Sequence, residues 1–508
     1  VPYRDDLAGL IPHARAMEHQ GEKFLVFPND EAETRLARNL GIAVPPPVMT
    51  RYDWGGHKPW DVQRHTTALM LEHPRVFVLN EMGTGKTRAA IFACDYMLRF
   101  RGAKRFLISA PLSTLTPVWE SELFRTFPKY KVRVLHGPRA KRRDLLAEDA
   151  QFYIINHHGI PLLTDELVAR GFDAVIVDEL ATLRNSRTDL WKAHATVVGS
   201  IPAAWGMTGS PTPMAPTDAW AQVKLLRPTW APRTMGFFRD QTMARITQFR
   251  WVPRPEATEI VHKLMQPAVR FTRDEVMELP ATSYVDRKVG QTAEAARVYK
   301  ALFDRMRTQS LKGKPISAAN EGILHNKLLQ VACGYLYTDD RTIYELGNKP
   351  RFDALDEVLD ECSRKAIIFV PYIHALEGLT KALVDAGRSV AMVHGGTSLT
   401  KRNKIFDNFQ NTPVVAGGTQ FIVAHPICMS HGLTLTSANT IVWWAPPASL
   451  ETYEQANARI IRPGQTSKTL IVHMSGTPVE KLTYARLQQR GKLQGILLDL
   501  FGLQELVV

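Results

Sequence analysis

The junction that most constrains this chain is an apolar run, Val76-Phe77-Val78-Leu79, followed by Asn80-Glu81-Met82-Gly83-Thr84-Gly85-Lys86-Thr87 and a helix-like stretch from Arg88 to Phe100. A short apolar run without polar alternation reads as a strand covered on both faces. Gly83 and Gly85 let the backbone turn tightly around bound oxygen atoms, and the first N–H groups of the following helix point at the same place. Lys86 is placed to reach the β- and γ-phosphates of ATP and the Thr87 hydroxyl to hold Mg²⁺, while Met82, Gly83, Thr84 and Gly85 supply the surrounding backbone. The generic form of this loop has a glycine where Asn80 stands. Strand, loop and helix in this order predict an α/β fold with a parallel sheet.

The same rhythm recurs. Phe106-Leu107-Ile108, Tyr153-Ile154-Ile155 and Ala174-Val175-Ile176-Val177 follow at helix-length intervals. A second series begins later with Ala366-Ile367-Ile368-Phe369-Val370, Val390-Ala391-Met392-Val393, Phe421-Ile422-Val423, Thr440 to Trp444 and Leu470-Ile471-Val472. Two parallel sheets flanked by helices are therefore expected. The expected boundaries are a small N-terminal module and linker over 1–57, a first lobe over 58–228, mainly helical and basic insertions over 229–349, a second lobe over 350–480 and a helical tail over 481–508. The approach Trp54-Gly55-Gly56-His57 reads as a packed linker, with a docking element as the alternative.

Length and composition narrow the class. A chain of 508 residues suits several domains, and 45% hydrophobic with 22% charged residues is ordinary globular composition. No segment approaches the unbroken run of about 18 apolar residues that a membrane span needs, and the charged, proline-containing start does not read as a secretory signal. A cytoplasmic, non-membrane protein is expected. The four cysteines, Cys94, Cys333, Cys362 and Cys428, form no pair with metal-ligand spacing, so neither zinc nor a disulfide framework is expected. A net charge of +13 favours a polyanionic partner.

Two further groups carry chemistry. Asp178 and Glu179 end the run Val175-Ile176-Val177, where open α/β sheets bind ligands; Asp178 suits Mg²⁺ and Glu179 suits orienting or deprotonating an attacking water. In the late half, Gln455-Ala456-Asn457-Ala458-Arg459-Ile460-Ile461-Arg462-Pro463-Gly464-Gln465 places Arg459 and Arg462 three apart, on one face if the stretch is helical. Guanidinium groups there can stabilise charge on a transferring phosphoryl group.

In order along the chain these motifs resemble those of superfamily 2 helicases and, within them, the SNF2 family. Lys58-Pro59-Trp60-Asp61-Val62-Gln63 resembles the adenine-recognising Q motif, with Gln63 as the base reader. Leu107-Ile108-Ser109-Ala110-Pro111-Leu112 with Trp119-Glu120-Ser121-Glu122 is similar to the next motif, and Tyr153-Ile154-Ile155-Asn156 to the strand before a DNA-strand contact. Asp178 to Ser186 resembles the family's "DEAHxLKN", and Met207-Thr208-Gly209-Ser210-Pro211 its coupling motif "LTGTP". Phe271 to Val276 with Glu278-Leu279-Pro280 is similar to "RRTKxDVxxxLP", Leu328 to Cys333 to "LRQIC", Gly432-Leu433-Thr434 to "GLNLT", and Gln455 to Gln465 to "QAxxRxxRxGQ". The long separation of Thr208 from Ile367 fits the helical protrusions of that family.

The resemblance implies two RecA-like P-loop lobes with helical insertions between them. It further implies an ATP hydrolase in which Gln455, Arg459 and Arg462 complete the site of Lys86, Asp178 and Glu179, and in which Thr208, Ser210, Gly432 and Thr434 serve the nucleic-acid side. The implied activity is ATP-driven movement along DNA, duplex or forked, with RNA second and any protein partner unspecified. A compact bacterial or phage-type motor fits best. The alternatives are a strand-separating DNA or RNA helicase and a nucleic-acid-binding scaffold that does not cycle. Three departures stand out: Ala181 replaces the family histidine, Ser430 and His431 replace glycines, and Thr434 replaces an asparagine.

Overall fold

The structure is a computed structural model in which residues 1–246, 251–276, 280–311, 318–337, 342–429, 434–447 and 449–487 are described. The chain forms two units. The first contains Val1–Ala244 and Pro253–Val276, and the second the described residues of Arg245–Val252 and Met277–Gly495.

After a short helix, Asp5–Ala8, the first unit forms the hairpin β1 (Arg15–His19) and β2 (Glu22–Val26). Gln20 and Gly21 both have positive φ at its two-residue turn, the backbone that matches strand twist. The hairpin and the helix Glu31–Asn39 bury Leu7, Ile11, Leu25 and Ala37 in a small core of their own. The approach to the main sheet is packed. The Tyr52 hydroxyl donates to the buried Asp95 carboxylate at 2.5 Å, the Trp54 ring meets Phe92 edge-on, and His57 Nε2 bonds the Thr126 carbonyl at 2.8 Å.

The main sheet of the first unit has, among the described residues, seven parallel strands. They are β3 (Arg75–Val78), β4 (Phe106–Ala110), β5 (Val132–Leu135), β6 (Phe152–Asn156), β7 (Ala174–Asp178) and β8 (Ala203–Met207), and, after the short strands β9 (Met243–Arg245) and β10 (Trp251–Pro253), β11 (Ala268–Val269). Their order is β11-β3-β8-β7-β4-β6-β5. Alternate residues enter opposite cores, Leu107, Ile155 and Val175 on one face and Ile108, Ile154 and Ile176 on the other, as the two-residue period of a strand requires.

The second unit's sheet is also parallel. It joins β12 (Thr282–Lys288), β15 (Lys365–Phe369), β16 (Val390–Val393), β17 (Phe421–Ala424), β18 (Ala438–Trp443) and β19 (Thr469–Ser475) in the order β12-β19-β18-β15-β17-β16, while β13 (Tyr335–Tyr337) and β14 (Ile343–Glu345) form a separate antiparallel pair. The α/β class is as expected. The span 229–349 is not all helical protrusion, because β11 extends the first sheet and β12 edges the second. Neither segment carries a continuous apolar run: β11 is two residues long, and most of β12 faces outward. Residues 478–487 are helical; the rest of the expected tail lies outside the described residues.

Buried polar groups pin both units. In the first, His194 Nδ1 sits 2.8 Å from the Leu190 carbonyl and so carries its proton there, which leaves Nε2 to accept from the Ser109 hydroxyl at 3.0 Å and His157 Nδ1 to donate to Ser109 at 2.8 Å. In the second, Arg351, only 2% exposed, donates to the carbonyls of Ala332 and Met474 and pairs with the fully buried Glu480. The second Glu480 oxygen accepts the Gly476 and Thr477 N–H groups at 2.8 and 3.0 Å. Removing one partner of such a pair leaves an uncompensated interior charge. Glu480→Ala is expected to lower stability by about 3–5 kcal/mol, whereas Arg351→Met with Glu480→Leu recovers most of the loss; urea midpoints of the three chains check this.

Candidate active site

The loop after β3 adopts the backbone its glycines permit. Gly83 has φ +87° and Gly85 φ +78°, and Gly85 caps the helix Lys86–Phe100 in the left-handed region. A side chain at Gly85 would be strained there and would also strike Gln63, whose Nε2 lies 2.2 Å from where a Cβ would stand. Gln63 is 4% exposed. Its Oε1 accepts the Trp60 N–H at 2.9 Å at the start of the helix Asp61–Glu72, and its Nε2 faces the Gly85 carbonyl at 3.5 Å. The residue expected to read adenine is thus fixed directly against the phosphate loop. Thr84 is buried and donates to the Glu81 carbonyl at 2.8 Å; Met82 and Thr87 are half-buried beside it.

The Lys86 ammonium donates to the carbonyls of Asn80 at 2.7 Å and Glu81 at 3.0 Å. Burial pulls its pKa down, against the opposing charges of Glu179, Asp178 and Glu81. Asp178 ends β7, and burial pushes its pKa up, opposed by a hydrogen bond from Trp119 and by the Lys86 charge. Its two oxygens are held separately: Trp119 Nε1 donates to Oδ2 at 2.9 Å, and the Glu179 N–H donates to Oδ1 at 3.1 Å. Glu179 has φ +51°, a conformation uncommon outside glycine that concentrates at functional positions. The sheet order puts β8 between β3 and β7. Thr208, 1% exposed just past β8, donates its N–H to the Val78 carbonyl at 3.0 Å, and its hydroxyl accepts the Ser210 N–H at 3.2 Å. Lys86, Thr87, Asp178, Glu179, Thr208 and Ser210 therefore share one edge of the first unit. A hydroxyl and a carboxylate form the hard oxygen donor set that suits Mg²⁺ with retained waters, so Thr87 and Asp178 fit that ion.

In the second unit the helix Leu450–Asn457 ends before the arginines. Arg459 and Arg462 stand in the turns that follow, so the expected helical face does not form. Pro463 disfavours helical backbone at Arg462, and Gly464 takes φ +95°. The turn is stapled by Gln465, whose Nε2 donates to the carbonyls of Ala438 and Ile460 at 2.8 and 3.2 Å. Arg459 is 4% exposed, and its Nε donates to the Gln455 carbonyl at 2.9 Å, while the Gln455 side chain donates to Glu451 at 3.1 Å. Arg462 is half-buried, and burial lowers its pKa. Exposed Thr434 precedes Leu435, whose N–H donates to the Arg459 carbonyl at 3.1 Å. Gly432, with Ser430 and His431, lies outside the described residues.

A phosphate loop after one parallel strand, an Asp-Glu pair ending another and a stapled arginine turn on a second α/β unit define the helicase-type P-loop ATPase class. The sequence matches the SNF2-related domain over residues 63–335, more than half of the chain, and the helicase conserved C-terminal domain over 350–464. The chain belongs to the SNF2-related family. It is 26% identical to an uncharacterized ATP-dependent helicase of Mycoplasma pneumoniae, covering 78% of this chain and 37% of that one. With putative protein p41 of Acyrthosiphon pisum secondary endosymbiont phage 1 it shares 23% identity over 85% of this chain and 95% of that one. With the SWI/SNF-related matrix-associated actin-dependent regulator of chromatin subfamily A-like protein 1 of Xenopus laevis it shares 24% identity over 83% and 42%. The chain thus spans less than half the length of the Mycoplasma and Xenopus relatives. The Sulfolobus solfataricus SWI2/SNF2 ATPase core in complex with dsDNA is similar at TM-score 0.41 and 20% identity, over 87% of this chain and 93% of that one.

The Trp119 bond to Asp178 is the site contact that motif reading does not supply. Trp119 belongs to a motif pattern, but nothing in its spacing from Asp178 tells that the indole N–H holds that carboxylate. Three residues on, Glu122 accepts Arg88 Nε at 2.5 Å, so the one segment grips both the Asp178 strand and the Lys86 helix. Trp119→Phe keeps the ring and removes the donor; it is expected to cost about 1–3 kcal/mol, and Trp119→Ala about 3–5 kcal/mol. Denaturant titration separates the two.

Proposed function

We propose that this chain is an ATP-driven DNA translocase, moving along duplex DNA without obligatory strand separation. The observation that carries the proposal is the placement of Lys86, Asp178 and Glu179 at one sheet edge beside a loop that turns through the positive φ of Gly83 and Gly85. In this reading Gln63 reads the adenine, the backbone of Met82 to Gly85 binds phosphate oxygens, and Lys86 stabilises charge on the β/γ bridge. Thr87 and Asp178 would hold Mg²⁺, which supplies charge neutralisation when bound. Glu179 orients the attacking water and takes its proton. Arg459 and Arg462 stabilise the γ-phosphoryl charge from the second unit, with Gln455 holding Arg459, so that hydrolysis and release bias how the two units engage DNA.

Thr208 and Ser210 would couple the nucleotide site to the DNA contacts of the first unit, and Gly432 and Thr434 would serve the second. The contacts to DNA would go mainly to phosphates, which makes binding sequence-tolerant and salt-sensitive. No described helix is long and apolar enough to cross a membrane. By analogy with the Mycoplasma and phage relatives, the motor would work in a bacterial cytoplasm or a phage-infected host. ATP turnover measured with duplex DNA, single-stranded DNA, forked DNA and RNA tests the substrate. Triplex displacement without strand displacement is the expected pattern, and the reverse would favour the helicase activity that names the Mycoplasma relative.

Two variants test the site. Lys86→Ala is expected to lower turnover at least about 100-fold while the folded chain still binds DNA; unchanged turnover would sink the assignment. Arg462→Ala is expected to lower kcat by about 10³-fold or more with a far smaller change in ATP affinity, measured by single-turnover kinetics and nucleotide binding. An equal loss in binding argues against its role on the transferring group.

A further inference from the structure

Glu81 stands inside the phosphate loop but outside the group assigned to nucleotide. Its backbone carbonyl accepts Lys86 Nζ at 3.0 Å and the Thr84 hydroxyl at 2.8 Å. Its carboxylate turns the other way. Oε1 accepts Arg270 Nη2 at 3.0 Å, and Oε2 accepts the Arg273 N–H at 3.1 Å and Arg273 Nε at 3.4 Å. Arg270 is 3% exposed, so this carboxylate compensates a charge that the interior would otherwise leave unpaired.

The backbone reinforces the link. The N–H groups of Phe77, Leu79 and Glu81 donate to the carbonyls of Pro267, Val269 and Phe271 at 3.1, 2.8 and 2.9 Å, so the β3–β11 ladder runs beyond the strand and into the loop. In return the Phe271 N–H donates to Asn80 Oδ1 at 2.9 Å. Asn80, 1% exposed, also donates to the Thr66 hydroxyl at 2.8 Å. A glycine at position 80, as in the generic loop, would lack the side chain that makes both contacts. Residues 270–273 lead directly to Val276, where the chain leaves the first unit for the second.

We infer that Glu81, with Arg270, Arg273 and Asn80, is a positioning latch through which order in the phosphate loop is passed to the segment that carries the chain out of the first unit. This rests on the nucleotide reading given above and deepens it. Two amides of the segment, those of Phe271 and Arg273, have loop side chains as their acceptors. A ligand that orders the loop orders those acceptors, and the two amides are protected with it. Glu81 touches no reacting atom in this account; it acts through Lys86 on one side and the arginines on the other.

Hydrogen exchange of the full-length chain, with and without AMP-PNP and Mg²⁺, tests the inference. In the unaltered chain the analogue is expected to slow exchange over residues 268–276 by at least about fivefold, the order of effect that rigidification on binding produces. Glu81→Gln and Arg270→Gln are each expected to abolish that slowing while AMP-PNP affinity changes less than about threefold, and the double variant is expected to be no worse than either, because coupled residues are non-additive. Glu81→Asp retains part of the effect. Thermal melting of each variant identifies one that fails to fold, and the Arg273→Gln chain then supplies the same reading. Slowing that persists in Glu81→Gln, or analogue binding to the unaltered chain with no slowing, overturns the latch and leaves the nucleotide site standing. No analogue binding to the unaltered chain overturns the nucleotide reading itself, and the latch falls with it.

Discussion

Drawing the Lys86 ammonium part of the way out of water is costly unless acceptors and opposite charge come with it, and much of the first unit's architecture answers that requirement. The acceptors are local, the Asn80 and Glu81 carbonyls exposed by the turn at Gly83 and Gly85. The opposite charge is remote in sequence and arrives because β7 ends in Asp178 and lies one strand beyond β8 from β3. Parallel strands bring their C-terminal ends to one edge without any hairpin, so residues about a hundred positions apart can share a site once the strand order is set. Asp178 in turn is half-buried, and Trp119 and the Glu179 N–H each bond one of its oxygens.

That edge depends on packing that offers little room for variation. A Cβ on Gly206 of β8 would lie 2.5 Å from Leu180 and 2.6 Å from Leu226, so the strand carrying Thr208 can approach the short helix after Glu179 only because that residue has no side chain. The positive φ of Glu179 sets the direction of the same short helix, Leu180–Leu183. Backbone strain at a catalytic candidate and a glycine in the neighbouring strand are two parts of one arrangement. Strain of this kind persists where the surroundings over-determine it.

Most of the strands that were legible in the sequence are buried on both faces, and their uninterrupted Val, Ile, Leu and Phe need no context to be read; β16, half-buried at the sheet edge, was legible by its apolar run alone. The ones that were not legible are of three kinds. β8 reads Ala-Ala-Trp-Gly-Met and has no β-branched residue. β5 alternates around Arg133, as an edge strand does. β11 and β12 are edge additions whose sequence resembles the loops around them. The candidate site divides in the same way. Lys86, Thr87, Asp178 and Glu179 declare themselves because each follows a strand at fixed spacing. Trp119, Arg270 and Arg273 act across distances that only tertiary structure closes. The arginine turn was legible as a motif and not as a conformation: three-residue spacing suggested a helix, but the helix stops at Asn457, before both arginines.

The departures from the family pattern acquire different meanings once they are placed. Asn80 is not a weakened glycine, since its side chain joins the loop to both Thr66 and Phe271. Ala181 is 1% exposed within the short helix after Glu179, and its carbonyl accepts Arg184 Nη1 at 3.2 Å. A histidine there would have to find volume and hydrogen-bond partners in a packed interior, so its replacement belongs with the close packing of Leu180 against Gly206. Other contacts tie the same edge together: the Thr208 N–H bonds the strand that launches the loop, and the Glu81 carboxylate bonds both arginines of the outgoing segment.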